Sequence, residues 1–120
     1  MRKTIDYEEL VGALLEALPE VTPTFHALSD RWGQDYLPHV VFGDVVTEHF
    51  LIPLLEAPAP DSALLERTFA FLEAMAMSSD VRVREVVEVS VCERLQDRPE
   101  WVQSARAYMG PQTLHLCSGI

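Results

Sequence analysis

Apolar positions recur at three- and four-residue spacing along most of the chain, which predicts helices in preference to strands. Leu10, Val11, Leu14, Leu15 and Leu18 make one stripe over residues 5–18, with Thr4 or Asp6 as cap and Pro19 as stop. Thr22-Pro23 reads as a cap followed by proline at the first helical position. It opens a second helix to about Trp32, with Phe25, Leu28 and Trp32 on one side and Gly33 at its end. A third helix is predicted over 38–56. Val40, Val41, Phe42, Val45, Val46, Phe50, Leu51, Ile52, Leu54 and Leu55 cover nearly its whole circumference. A helix apolar all round belongs in the centre of a bundle. Gly43 admits a close neighbour there, Asp44, Thr47 and Glu48 form its one wet strip, and Pro53 should kink or end it near Phe50.

Ala57-Pro58-Ala59-Pro60 is the clearest linker. Beyond it, Asp61 or Ser62 caps a fourth helix to about Met77, with Leu64, Leu65, Phe69, Leu72, Met75 and Ala76 on its stripe and Glu66, Arg67 and Glu73 off it. Residues 80–95 are ambiguous, because Val81, Val83, Val87, Val89 and Val91 alternate as a strand would. The run is long for a strand, Asp80 suits a cap, and Arg84 and Glu88 stand at a helical pair spacing, so a buried helix is expected. Asp97-Arg98-Pro99-Glu100 reads as a cap, an early proline and a capping-box acid. The sixth helix carries Trp101, Val102, Ala105, Tyr108 and Met109 and closes at Gly110-Pro111. The last ten residues are expected as a tail that packs back through Leu114 and Leu116. Six helices with short connections predict one all-α domain over 1–120, an orthogonal or HEAT-like bundle.

Composition narrows the function more than the fold. The 120 residues include 19 acids and 9 bases, a net charge of −10. That balance disfavours nucleic acid and anionic lipid as partners. Residues 1–60 hold 10 acids against 3 bases, and residues 61–120 hold 9 against 6, so the N-terminal half is the more acidic. An acidic face steers association with a basic partner, although surface charge also serves solubility alone. No secretion signal or membrane-length apolar run is apparent, so a cytoplasmic protein with reduced thiols is expected. On compartment grounds a disulfide between Cys92 and Cys117 is disfavoured.

Candidate chemistry is sparse. His39, Asp44, Glu48 and His49 carry metal-ligand side chains, but their spacing matches neither His-Glu-x-x-His nor a Glu-x-x-His pair. His26, Ser29 and Asp30 sit too close on one turn to relay a proton. Cys92 with His115 offers a nucleophile and a base, yet its valine-rich surroundings suggest an inert buried thiol. No glycine-rich phosphate loop is present. A non-enzymatic protein without cofactor is therefore favoured.

Two stretches carry a resemblance. Leu37-Pro38-His39-Val40-Val41-Phe42-Gly43-Asp44-Val45 and Tyr108-Met109-Gly110-Pro111-Gln112-Thr113 resemble the central and closing motifs of an uncharacterised family of small bacterial helical proteins. Val89-Ser90-Val91-Cys92-Glu93-Arg94-Leu95 fits the same pattern. The family looks like the immunity proteins encoded beside bacterial toxins. The resemblance implies an all-α fold and supplies no catalytic residue. Together with the charge it leads to the expectation of an immunity protein whose Asp30, Asp35, Asp44 and Glu48 cover a toxin's basic cleft. The alternatives are a metal-dependent enzyme or regulator built on His39, Asp44, Glu48 and His49, and a dimeric structural adaptor.

Overall fold

The computed structural model describes residues 5–32 and 37–118. Among the described residues it has seven helices and no strand, so the chain is all-α as its periodicity predicts. Thr4, Gly33 and Asp35 lie outside the described residues. Helix α1 (Leu10–Ala17) is entered through a 3-10 turn at Tyr7–Glu9, and α2 (Thr22–Trp32) through another at Pro19–Val21. Helix α3 spans residues 38–56 and α4 is Ser62–Ala76. Helix α5 spans residues 81–95, followed by α6 (Pro99–Arg106) and α7 (Pro111–Ser118).

Helix α3 runs through the core, as an all-round apolar helix must. Val41, Phe42, Val45 and Leu51 have no exposed surface, and the Phe42 ring stacks on Phe71 of α4 at 6.4 Å. Burying these four side chains contributes roughly 8 kcal/mol before chain entropy is charged against it. Loss of the Phe42 ring alone would cost about 3–5 kcal/mol.

The middle of α3, Val41–Leu51, and the middle of α5, Val86–Cys92, are wound as π-helix and pack against each other. The Ile52 amide donates to the Thr47 carbonyl and the Glu93 amide to the Glu88 carbonyl, each five residues back. Such wide turns are rare and usually confined to one turn. Here the widening helps α3 pass Pro53, which does not end the helix near Phe50 as expected. Proline falls in the first turn of Ile52–Glu56, where five-residue pairing gives way to α pairing and a missing donor costs little. The chain leaves the helix at Ala57, which is extended.

Residues 80–95 are helical. The buried side chains Val83, Val86, Val87, Ser90, Val91 and Leu95 keep three- and four-residue spacing, whereas Val81 and Val89 face solvent. Asp80 caps the helix through Oδ1, which accepts from the Arg82 amide at 3.0 Å, and its Oδ2 accepts from the Tyr7 amide at 3.1 Å. Asp61 likewise caps α4 by accepting from the Leu64 amide.

Several local expectations fail for identifiable reasons. Arg84 donates to the Ser78 carbonyl instead of pairing with Glu88. Arg98, not Asp97, stands at the cap of α6, and no side chain bonds there. The amides of Gln96, Asp97 and Arg98 still bond back to Cys92, Arg94 and Leu95, so Asp97 belongs to the closing turn of α5. Thr47, expected on a wet strip, is fully buried.

The C-terminal residues do pack back through Leu114 and Leu116, but as a helix. Eight residues are too few to hold a helix alone. Helix α7 lies on α4 and on the π-helical part of α5, and it is fastened at both ends. At its start Glu73 of α4 accepts from the Gln112 amide at 3.1 Å and from the Thr113 amide and hydroxyl at 2.9 Å each. A carboxylate there also meets the positive end of the helix dipole. Near its end Cys117 is joined to Cys92 by a disulfide with Cα atoms 5.1 Å apart. This overturns the expectation of two free thiols, including the inert buried thiol expected at Cys92. No helix among the described residues is long and apolar enough to cross a membrane.

Candidate interaction site

The two π-helical segments meet along a polar seam, and the residues of two of the sequence motifs lie on it. His39 enters from the first turn of α3, and its Nδ1 is hydrogen bonded to the Ser90 hydroxyl of α5 at 2.9 Å. Two turns further in, the Thr47 hydroxyl lies 2.8 Å from the Phe42 carbonyl and 2.9 Å from the Ser90 carbonyl, sharing one proton between them. The Phe42 carbonyl is five residues back, the spacing that a π turn brings within reach of the side chain.

At the solvent edge Arg94 completes the seam. One guanidinium nitrogen donates to Asp44 at 3.1 Å and to Glu48 at 3.2 Å. The same guanidinium lies against Gly43, where a Cβ would stand 2.7 Å from its Cζ. Gly43 thus admits a neighbour as expected, and that neighbour is a side chain. Asp44 and Glu48 remain 43% and 44% exposed, so a second cation can reach both. A shallow groove of about 390 Å³ opens beside them, lined by His39, Val40, Asp44, Val89, Ser90 and Arg94.

The chemistry available here is limited by burial. A serine beside an imidazole is the pair used in nucleophilic catalysis. Ser90 is 3% exposed and its hydroxyl is held against His39 beneath the groove, an arrangement that staples α3 to α5. The suggested metal set does not assemble either. His39 turns to Ser90, Asp44 and Glu48 turn to Arg94, and His49 Nδ1 donates to the Asp44 carbonyl at 2.6 Å. Among the described residues no three His, Cys, Asp or Glu converge as a ligand set.

Of the four acids expected to bind a partner, Asp44 and Glu48 come together at Arg94, Asp30 is exposed on α2, and Asp35 lies outside the described residues. Other arginines are also engaged with acids. Arg67 pairs with Glu20, and its hydrogen bond holds that carboxyl below the usual range. Arg82 pairs with Glu8 and Asp80 and lies 4.8 Å over the Tyr7 ring. Its hydrogen bond, aided by the Tyr7 and Arg82 amides, lowers Asp80 to about 2.

Sequence reasoning did not single out Ser90, Arg94 or Glu73. Arg94 stands inside a quoted motif, but only its partners across the seam give it a role. The third motif has a structural explanation of its own, since a Cβ at Gly110 would stand 2.5 Å from the Glu73 carboxyl carbon. Gly110 makes room for the carboxylate, and Gln112 and Thr113 bind it. No curated protein and no solved structure matches the chain. A family model covers residues 11–119, nearly the whole bundle including the seam and the Glu73 cap, and on that match the chain belongs to the family described as a domain of unknown function, DUF7674.

Proposed function

We propose that this protein is a non-enzymatic binding protein for a basic protein partner, in the manner of an immunity protein that covers a toxin's cationic cleft. The observation that carries the reading is how the fold uses its few cations. Arg67, Arg82 and Arg94 are each committed to carboxylates of the same chain, in a protein whose formal charge is −10. The surface therefore meets a partner with excess negative charge, which speeds encounter with a basic one. Asp44 and Glu48 offer a contact point where an incoming lysine or arginine competes with Arg94 for two half-exposed carboxylates. Asp30, exposed on α2, adds to the acidic surface, and Asp35 is kept in the set for its charge alone. The reading keeps the cytoplasm as the compartment.

Co-expression with the neighbouring reading frame tests this. The neighbour expressed alone should arrest growth, and this protein should restore it. Rescue should weaken when Asp44 and Glu48 are both changed to lysine, with the association rate falling about tenfold at low salt and converging at high salt. A harmless neighbour, or binding indifferent to both salt and the reversals, would remove the reading.

A dimeric adaptor is the second reading. It is favoured by two exposed valines on α5, Val81 at 52% and Val89 at 43%. Light scattering of the protein alone should then show a dimer that Val89→Asp dissociates.

A further inference from the structure

We infer that the Cys92–Cys117 disulfide is a thiol-responsive latch on helix α7. The two fastenings of this helix differ in kind. Its start is held by hydrogen bonds from Gln112 and Thr113 to Glu73, which reducing agents leave untouched. Its last turn is tied to α5 by the Cys92–Cys117 bond and by a hydrogen bond from the Gln96 side chain to the Cys117 carbonyl at 3.1 Å.

The bond is also asymmetric in access. Cys92 is 1% exposed, whereas Cys117 is partly exposed near the end of the last helix. An incoming thiolate of a dithiol reductant attacks the Cys117 sulfur, breaking the S–S bond and releasing Cys92 as the leaving thiolate. The reductant's second thiolate then attacks the mixed disulfide and frees Cys117. Both cysteines take up protons and the reductant leaves as its own disulfide, so two electrons pass to the protein.

Once released, the last turn of α7 is too short to persist unsupported. Leu114 and Leu116 pack on the core from this helix, so opening the latch bares apolar surface of α4 and α5. Cys92 lies two residues from both Ser90 and Arg94, which places the latch on the same π-helical segment as the seam. The latch opens where thiols are kept reduced and stays shut where they are oxidised.

Hydrogen–deuterium exchange of the full chain, before and after reduction with dithiothreitol, tests the latch. Amides of 115–118 should exchange at least tenfold faster after reduction, while those of Gln112 and Thr113 and of the α3 core keep their protection. Cys117→Ser should match the reduced protein and show no response to dithiothreitol. Unchanged exchange at 115–118 on reduction would overturn the inference. So would loss of protection throughout α3 and α4, which would make the bond a requirement of the whole fold. Two free thiols in protein purified without reductant and exposed to air would overturn it as well.

Discussion

The Arg94 guanidinium rests on the backbone of Gly43, so close that a Cβ at position 43 would stand 2.7 Å from its Cζ. The obstruction is the far end of a flexible side chain, which can swing into solvent. Gly43→Ala should therefore fold, with Arg94 lifted from its seat and Asp44 and Glu48 uncovered. The better helix propensity of alanine, worth about 1 kcal/mol, offsets the lost ion pairs, and stability should move by less than about 1 kcal/mol. Urea denaturation measures this, and a loss above about 2 kcal/mol would show that the seat is rigid.

Removing the cation itself has a different signature. Arg94→Gln leaves two carboxylates four residues apart without a counter-charge. The expected loss is about 0.5–1 kcal/mol at low salt, shrinking in 1 M salt, because all three side chains are partly exposed. A loss independent of salt would point to packing against Gly43 as the larger contribution.

Glu73 and Gly110 should behave as one device. Glu73→Ala removes the cap of α7 and should cost about 1–2 kcal/mol. Gly110→Ala should cost a similar amount by pushing the same carboxylate away, since its Cβ would stand 2.5 Å from the Glu73 carboxyl carbon. The double variant should then cost little more than either single one. Additive losses in this double-mutant cycle would separate the two residues.

The Thr47 hydroxyl bridges the two π-helical segments from a fully buried position. Thr47→Val keeps the volume and withdraws the proton from two carbonyls. A loss of about 1–3 kcal/mol in denaturation is expected, whereas Thr47→Ser should retain most of the stability. Equal losses for valine and serine would assign the effect to the methyl group.

Acid should loosen the contact between the N-terminal turn and α5. The Asp80 carboxyl is lowered from 3.8 to about 2, first by the Arg82 hydrogen bond and then by the Tyr7 and Arg82 amides. A group depressed on folding stabilises above its unfolded value and loses that contribution as pH falls through its folded value. The Asp80 share should thus be complete at pH 5 and decline between about pH 4 and 2. Comparing denaturation of the protein and Asp80→Asn at pH 6 and pH 2.5 tests this, with the difference between them expected to narrow at the lower pH.

The residues 80–95 show what periodicity can and cannot carry. Their valines alternate like a strand, yet Asp80 and the length of the run argue for a helix, and the buried set from Val83 to Leu95 follows helical spacing. Helix identity is local, because one turn brings residues three and four apart onto one face. Winding is not local. Nothing in the valine pattern announces π turns, which exist where α3 and α5 press together and Thr47 bridges them. Helix α7 escaped notice because its short run mixes Thr113 and His115 among apolar residues, and its order comes from Glu73 and Cys92, 40 and 25 residues earlier.

The same division holds at the candidate site. Spacing alone puts Asp44 and Glu48 on one strip of a central helix, and the cost of leaving acids beside a buried helix predicts either an arginine or a groove. Which arginine answers them depends on how α5 lies across α3. So does the choice of Gly43 as its seat, whereas the joining of Cys92 to Cys117 depends on how α7 lies on α5. Patterns within one helix follow from its own geometry, but contacts between helices arise only when packing brings distant residues within a few ångströms.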